Sequence, residues 1–258
     1  MKINRRVFLA SVSITFLIGS VFMLKNSASI EKILANNAYT IVDHTKIFNL
    51  TNTDLYEFLL EEINTLDTQL YNLLGSVTKA ELNIIIFKDI KDLRKHTNLE
   101  NIGAFFDPKS NTIALSLTED FFPEFNKGNF IRYLRHEYTH YYLTSYIKYN
   151  SLSSVPKWFD EGIADYVAIT MEGGSPIVPT EKIIDFTVLN TRREWAKYRK
   201  KSSQLYIQSH FAINYIIQQS GQTVVKKIID ESNQIGFPDS FYKNTNIELS
   251  ELHNKMWF

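Results

Sequence analysis

The stretch Arg135-His136-Glu137-Tyr138-Thr139-His140 decides the reading of this chain. It is an H-E-x-x-H pattern inside the run Asn129 to Tyr149, which is apolar at helical spacing and contains no Gly or Pro, so the spacing predicts a helix. Residues four apart on a helix stack on one face, roughly 6 Å along the axis, and two imidazoles so placed can converge on one ion. Zinc accepts that geometry, at roughly 2.0–2.1 Å per nitrogen. Glu137 follows the first histidine directly, which puts a carboxylate near the ion without aiming it there and suits a base acting on water. The competing reading is two core histidines on an ordinary helix. Tyr133, Leu143 and Ile147 share the histidine face, while Ile131, Leu134, Tyr138, Tyr141 and Tyr142 cover much of the rest, so the helix is apolar nearly all round and expected to be buried. Two imidazoles and a carboxylate in such surroundings need partners, and one cation satisfies all three.

A tetrahedral catalytic site needs a third protein ligand and an open position for water. The segment Val155-Pro156-Lys157-Trp158-Phe159-Asp160-Glu161-Gly162-Ile163-Ala164-Asp165-Tyr166 begins with a proline suited to a first helical turn and continues at helical spacing. Twenty residues lie between His140 and Glu161. That leaves room for the first helix to end, for Ser151, Ser153 and Ser154 to form a reversing turn, and for a second helix to return alongside. Glu161 is the expected third ligand.

H-E-x-x-H followed by W-F-D-E-G-I-A-D-Y resembles the gluzincin metallopeptidases, especially the peptidase MA-like branch, in which a W-x-x-E-G-x-A-x-Y segment supplies the glutamate. The resemblance implies one zinc ion held by His136, His140 and Glu161, with Glu137 as general base. Asp165 follows Glu161 by four residues, as in the E-x-x-x-D of thermolysin-like enzymes, which implies that Asp165 orients His136. A ligating histidine ordinarily gives its second N–H to a carboxylate or carbonyl, so the same role follows from physics. The run Gln204 to Ile217, closed by Gly221, is similar to the next helix of such proteins, where an early tyrosine often faces the metal. Tyr206 is the favoured donor to the developing oxyanion and His210, one turn on, the second; packing is the competing role for Tyr206.

At the N-terminus Lys2, Arg5 and Arg6 precede Val7 to Leu24, an uncharged and mostly apolar run. Such a run is expected to be a signal peptide or a short membrane anchor, with the remainder exported. Ser27-Ala28-Ser29 offers small residues for cleavage, and Asn4-Arg5-Arg6-Val7-Phe8-Leu9 resembles a twin-arginine signal while departing from it at Asn4 and Ala10. The absence of cysteine excludes a lipoprotein attachment site and any disulfide. With 28 acidic and 28 basic residues the formal net charge is zero, so no nucleic-acid partner is expected.

The expected fold is α+β and zincin-like, in three segments. Residues 1–29 form the leader, residues 30–150 an α/β lobe ending in the H-E-x-x-H helix, and residues 151–258 a helical lobe supplying Glu161. A short strand is expected between Asn36 and Leu50, a helix from Thr53 to Leu74 ended by Gly75, a buried strand at Leu82 to Phe87, and a short helix at Asp89 to His96. A β-hairpin is expected from Ile102 to Phe106 and Thr112 to Leu117. In the family that these motifs resemble, an edge strand binds substrate backbone, and Ala104 to Phe106 or Ala114 to Leu117 are the candidates. Beyond Pro179 the chain reads as helical to its end, apart from turns near Gly221 and Gly236. The basic run Arg192, Arg193, Lys197, Arg199, Lys200 and Lys201 reads as a solvated face. His44, His96 and His253 read as structural.

The expected activity is that of an extracytoplasmic zinc metallopeptidase acting on peptide or protein. Two alternatives remain open: an exported zinc-binding scaffold without peptidase activity, and a zinc amide hydrolase acting on cell-wall material.

Overall fold

The computed structural model describes residues 23–97, 102–118, 127–150, 155–171, 173–199 and 204–256. The leader candidate up to residue 22, the serine turn at 151–154 and Lys200 and Lys201 of the basic run lie outside these. The architecture is α+β, with one five-stranded mixed sheet and a larger helical part. By compactness the chain divides into two units: Met1–Leu55 with Ala80–Glu137, and Tyr56–Lys79 with Tyr138–Phe258.

The first unit is built on β3 (Leu82–Phe87), whose Leu-Asn-Ile-Ile-Ile-Phe run is buried except at Asn83. A strand that is apolar at successive positions must be covered on both faces, which places it in the interior of a sheet. It pairs in parallel with β2 (Thr45–Asn49) on one side and β5 (Thr112–Ser116) on the other. β1 (Thr40–Val42) joins β2 as an antiparallel hairpin turning at Asp43, whose φ is 50°. The single short strand expected here is thus a pair. β4 (Ala104–Asp107) runs antiparallel to β5, and the order across the sheet is β1-β2-β3-β5-β4. The Asp107 carboxylate accepts the Lys109 N–H and the Ser110 hydroxyl, which closes the expected β4–β5 hairpin. Ala104 to Phe106 does lie on an edge strand. Ala114 to Leu117 does not, because both ladders of β5 are taken, by β3 and β4, and no backbone edge is left to extend.

One face of this sheet is covered by α1 (Met23–Asn36), where Ile30 and Ile33 pack with Phe48, Ile85, Phe87, Ala114 and Leu93 of α3 (Ile90–Thr97). Ile85 and Ala114 are register partners and Ile85 and Phe87 are two apart, so one face of the pleat supplies this cluster. Among the described residues, no helix is long and apolar enough to cross a membrane.

In the second unit, α2 (Tyr56–Leu74) carries a stripe of Leu59, Ile63, Leu66, Leu70 and Leu73, all buried. It opens at Tyr56 rather than Thr53. It ends where Gly75, at φ 90°, donates its N–H to the Tyr71 carbonyl.

The helix that carries H-E-x-x-H is α4 (Lys127–Tyr149), and every residue from Tyr133 to Leu143 is buried. Three tyrosines four residues apart fix its rotation. Tyr138 donates to Asp67 at 2.7 Å, Tyr142 to the Gly75 carbonyl at 2.8 Å, and Tyr146 to Asp230. These hydroxyls let a polar group tip a buried ring at each turn without an unpaired donor.

α5 (Lys157–Asp165) follows Pro156 and runs directly into a π-helical turn at Tyr166–Thr170. Its Trp158 is fully buried among Phe159, Phe186, Phe237 and Phe241. Helices α6 (Arg192–Arg199), α7 (Gln204–Ser220), α8 (Val224–Ile235), α9 (Phe237–Thr245) and α10 (Leu252–Lys255) complete the unit. The helical reading from Pro179 onward begins too early, since residues 175–191 form turns and extended chain. The cause is a side chain doing the work of a helical neighbour. The Gln208 amide accepts the Ile184 N–H at 3.0 Å and donates to the Ile184 carbonyl at 2.9 Å. In the basic run, Arg199 is buried and does not belong to a solvated face.

α5 and α7 touch closely at Gly162, next to Glu161. A Cβ there would stand 2.6 Å from the Ser209 carbonyl oxygen and 2.6 Å from Ile213 Cγ1. Elsewhere in a helix Gly→Ala stabilises, by up to about 1 kcal/mol. Gly162→Ala is expected to reverse that sign and cost about 1–3 kcal/mol in denaturant unfolding, because backbone must move to admit the methyl group.

Candidate metal centre

α4 is one continuous helix through His136, Glu137 and His140, so the two imidazoles stand one turn apart on one side of it. All three are buried, with 2, 8 and 9 % of their surface exposed. α5 brings Glu161, 4 % exposed, to the same place. One donor atom from each of His136, His140 and Glu161 lies within 4.8 Å of the others, and this group can hold a metal ion. His140 Nε2 and Glu161 Oε2 are 3.4 Å apart. Two ligands on a tetrahedral ion with bonds of about 2.0–2.2 Å stand about 3.3–3.5 Å apart, so this pair is already at coordination spacing. The donor set, two imidazoles and a carboxylate, is that of a metal centre with room for a further ligand.

The side chain that orients His140 is Asp160. His140 Nδ1–H donates to Asp160 Oδ1 at 2.7 Å, which leaves Nε2 turned toward Glu161. Such a bond fixes the tautomer and raises the basicity of the ligating nitrogen. Taking the protein groups alone, burial pulls the His140 pKa down and the Asp160 charge pushes it up, with a net rise to about 9. Asp160 in turn is held below the usual carboxylate range, where burial is outweighed by His140 and by Lys157.

Lys157 completes the cluster. Its ammonium lies 2.7 Å from Asp160 Oδ2 and 2.9 Å from Glu161 Oε1. Burial works against its charge, but the two carboxylates hold its pKa above the ordinary lysine value. Neither Asp160 nor Lys157 was among the residues expected from sequence. The spacing K-x-x-D-E, with partners three and four residues after the lysine on one helix, is the signal that could have found them.

The remaining expected residues are placed as follows. Asp165 is buried at the end of α5, one turn after Glu161. Tyr206, on the first turn of α7, is buried edge-on against Trp195 at 5.4 Å between ring centroids. Its pKa is raised by burial and then by the Glu161 charge, while Arg199 works in the opposite direction, so the phenol lies in the field of the cluster. His210, one turn further, is also buried, and its Nε2 pairs with Thr170 Oγ1 at 2.8 Å. That threonine is presented by the π-helical turn after α5.

Removing the Asp160 carboxylate takes away the group that fixes His140. Asp160→Ala is expected to weaken divalent-ion binding roughly 10–100-fold, read by competition between the protein and a chromophoric chelator for zinc or cobalt. An unchanged affinity would show that His140 needs no such partner.

No family model matches the chain. It is similar to YhcO, an uncharacterized protein of Bacillus subtilis (strain 168), with 23 % identity over 192 residues that cover 71 % of this chain and 58 % of that protein. The chain thus spans less than two thirds of the length of that relative.

Proposed function

We propose that this protein is a zinc-dependent metallopeptidase of the gluzincin type. The observation that carries the reading is the meeting of His136, His140 and Glu161 on two buried helices with Glu137 on the same turn as the first histidine. Bound there, a zinc ion would supply Lewis acidity, polarising a carbonyl and lowering the pKa of a water toward about 7. His136 and His140 would hold the ion through imidazole nitrogens and Glu161 through a carboxylate oxygen. Glu137 takes a proton from the attacking water and hands it to the leaving amine. Asp160 fixes His140, and Asp165 is assigned the corresponding task at His136. Tyr206 is assigned the donor role toward the oxyanion, supported by its electrostatic tie to Glu161. His210 is the second candidate, and its bond to Thr170 gives it a packing role as well.

The basic N-terminus followed by the apolar run Val7 to Leu24 supports an exported protein, secreted or held at the membrane by that run, with a peptide or protein as its substrate. An amide in cell-wall material would be attacked by the same chemistry, so the substrate test carries both arms.

Protein purified without chelator is expected to contain close to one zinc per chain by elemental analysis. Glu137→Gln is expected to keep that zinc and to lower hydrolysis of a peptide library by about 10²-fold or more, since a general base contributes typically 10²–10⁴-fold. Wild-type protein inert toward the library but active on a cell-wall preparation would replace peptide by wall amide as the substrate. Full activity in Glu137→Gln would remove the base assignment.

A further inference from the structure

We infer that Lys157 is a built-in counter-ion of the metal centre: its ammonium stands in for positive charge between Asp160 and Glu161 when no divalent ion is bound, and holds Glu161 by Oε1 so that Oε2 stays turned toward His140. The inference rests on the reading of His136, His140 and Glu161 as a metal centre and adds to it how that centre stays assembled without metal.

The geometry is a closed circuit of four side chains. Asp160 gives Oδ1 to His140 and Oδ2 to Lys157. Glu161 gives Oε1 to Lys157 and turns Oε2 toward His140. Each carboxylate thus divides its two oxygens between the same imidazole and the same ammonium. Lys157, Asp160 and Glu161 are spaced i, i+3 and i+4 on α5, so one helical turn sets the distances. The side chains are 18, 22 and 5 % exposed, and His140 is 10 % exposed.

An exposed pair at this spacing would be of little account. Here the carboxylates are mostly out of water, and removing one partner of a buried pair leaves a charge with neither solvent nor counter-ion. A divalent ion and the Lys157 ammonium therefore serve the same acids. Before metal arrives the ammonium keeps Glu161 and Asp160 in place. Once metal is present it restrains Oε1 and leaves the other oxygen to coordinate. Ion and ammonium offset the same negative charge from different oxygens, so the loss of Lys157 should make folding lean on the metal.

The test is thermal melting of full-length protein, stripped with chelator or saturated with zinc. Stripped Lys157→Met is expected to melt about 5–10 °C below stripped wild type. Zinc is expected to raise its melting temperature by more than it raises that of wild type. Lys157→Arg, which keeps the charge, is expected to melt close to wild type when stripped. The double variant Lys157→Met with Glu161→Gln removes the stranded charge and is expected to be more stable, stripped, than Lys157→Met alone. Should stripped Lys157→Met melt with wild type, or should Glu161→Gln give it no rescue, Lys157 is not a counter-ion. If Lys157→Met fails to fold when stripped, recovery on refolding with zinc supports the inference and failure with zinc overturns it. A wild type that zinc does not shift at all would instead reject the metal centre, while the stripped variants would still decide the role of Lys157.

Discussion

A carboxylate with 4 % of its surface in contact with solvent is costly unless something of opposite charge stands beside it, and Glu161 is such a carboxylate. Much of what surrounds it can be understood as an answer to that cost. His140 stands 3.4 Å from one oxygen and Lys157 2.9 Å from the other. Asp160, a second and only partly buried acid, is tied to both His140 and Lys157. The helices that carry these groups are held by contacts that leave little freedom to rotate or slide.

Two of those contacts are separable from the chemistry. On α4 the tyrosine hydroxyls of Tyr138, Tyr142 and Tyr146 form one stripe. At about 100° per residue, His136 and His140 lie about 160–200° round the axis from Tyr138. Tyr142 and Tyr146 lie about 80–160° from them by the same step, so the stripe is separate from the imidazoles and fixing the rotation does not consume the groups of the site. On α5 the equivalent restraint is translational. Gly162 lets the backbone approach Ser209 and Ile213 of α7 more closely than any side chain would allow. The Trp158 cluster fills the space on the other side of Glu161 in sequence, three residues before it. Gly162 after Glu161 and Trp158 before it are therefore packing features that fix where this glutamate stands.

How much of this was legible before any coordinates depends on whether the signal was local. H-E-x-x-H, the proline-led helix after it and the Leu-Asn-Ile-Ile-Ile-Phe strand announce themselves by periodicity, and the structure has the two helices and the strand where that periodicity puts them. The convergence of Glu161 on the histidines was legible as well, because a short connection between two helices leaves few other arrangements. What was misread depended on partners distant in sequence. The chain after Pro179 reads as helical, but up to residue 191 it is not, and there Gln208 takes the backbone of Ile184. Ala114 to Leu117 looks like an edge until strand order is known. The π-helical turn at Tyr166–Thr170 has no marker in the sequence, and it carries Thr170 to His210. Asp160 was overlooked for a different reason. Asp165 is expected at His136 from the spacing of its motif, and the acid beside Glu161 reads as an ordinary charged neighbour until its hydrogen bond to His140 is seen.

The division of labour among the acids of α5 bears on whether the proposed centre is catalytic or structural. A structural zinc is closed by four protein ligands, and one carboxylate to consider as a fourth donor is Asp160, next to Glu161 in sequence. Asp160 cannot readily serve. Its Oδ1 accepts from His140 Nδ1, on the far side of the ring from the nitrogen that faces Glu161, and its Oδ2 is held by Lys157. Turning it toward the ion would give up the bond that sets the His140 tautomer, so the ligand gained would weaken a ligand already present. The lysine thereby keeps two acids in different roles on one turn of helix, one toward the ion and one behind it. In the proposed centre three protein donors, with Glu137 on the same turn as His136, would leave the fourth position to solvent with a base beside it, which is the arrangement that the proposed hydrolysis needs.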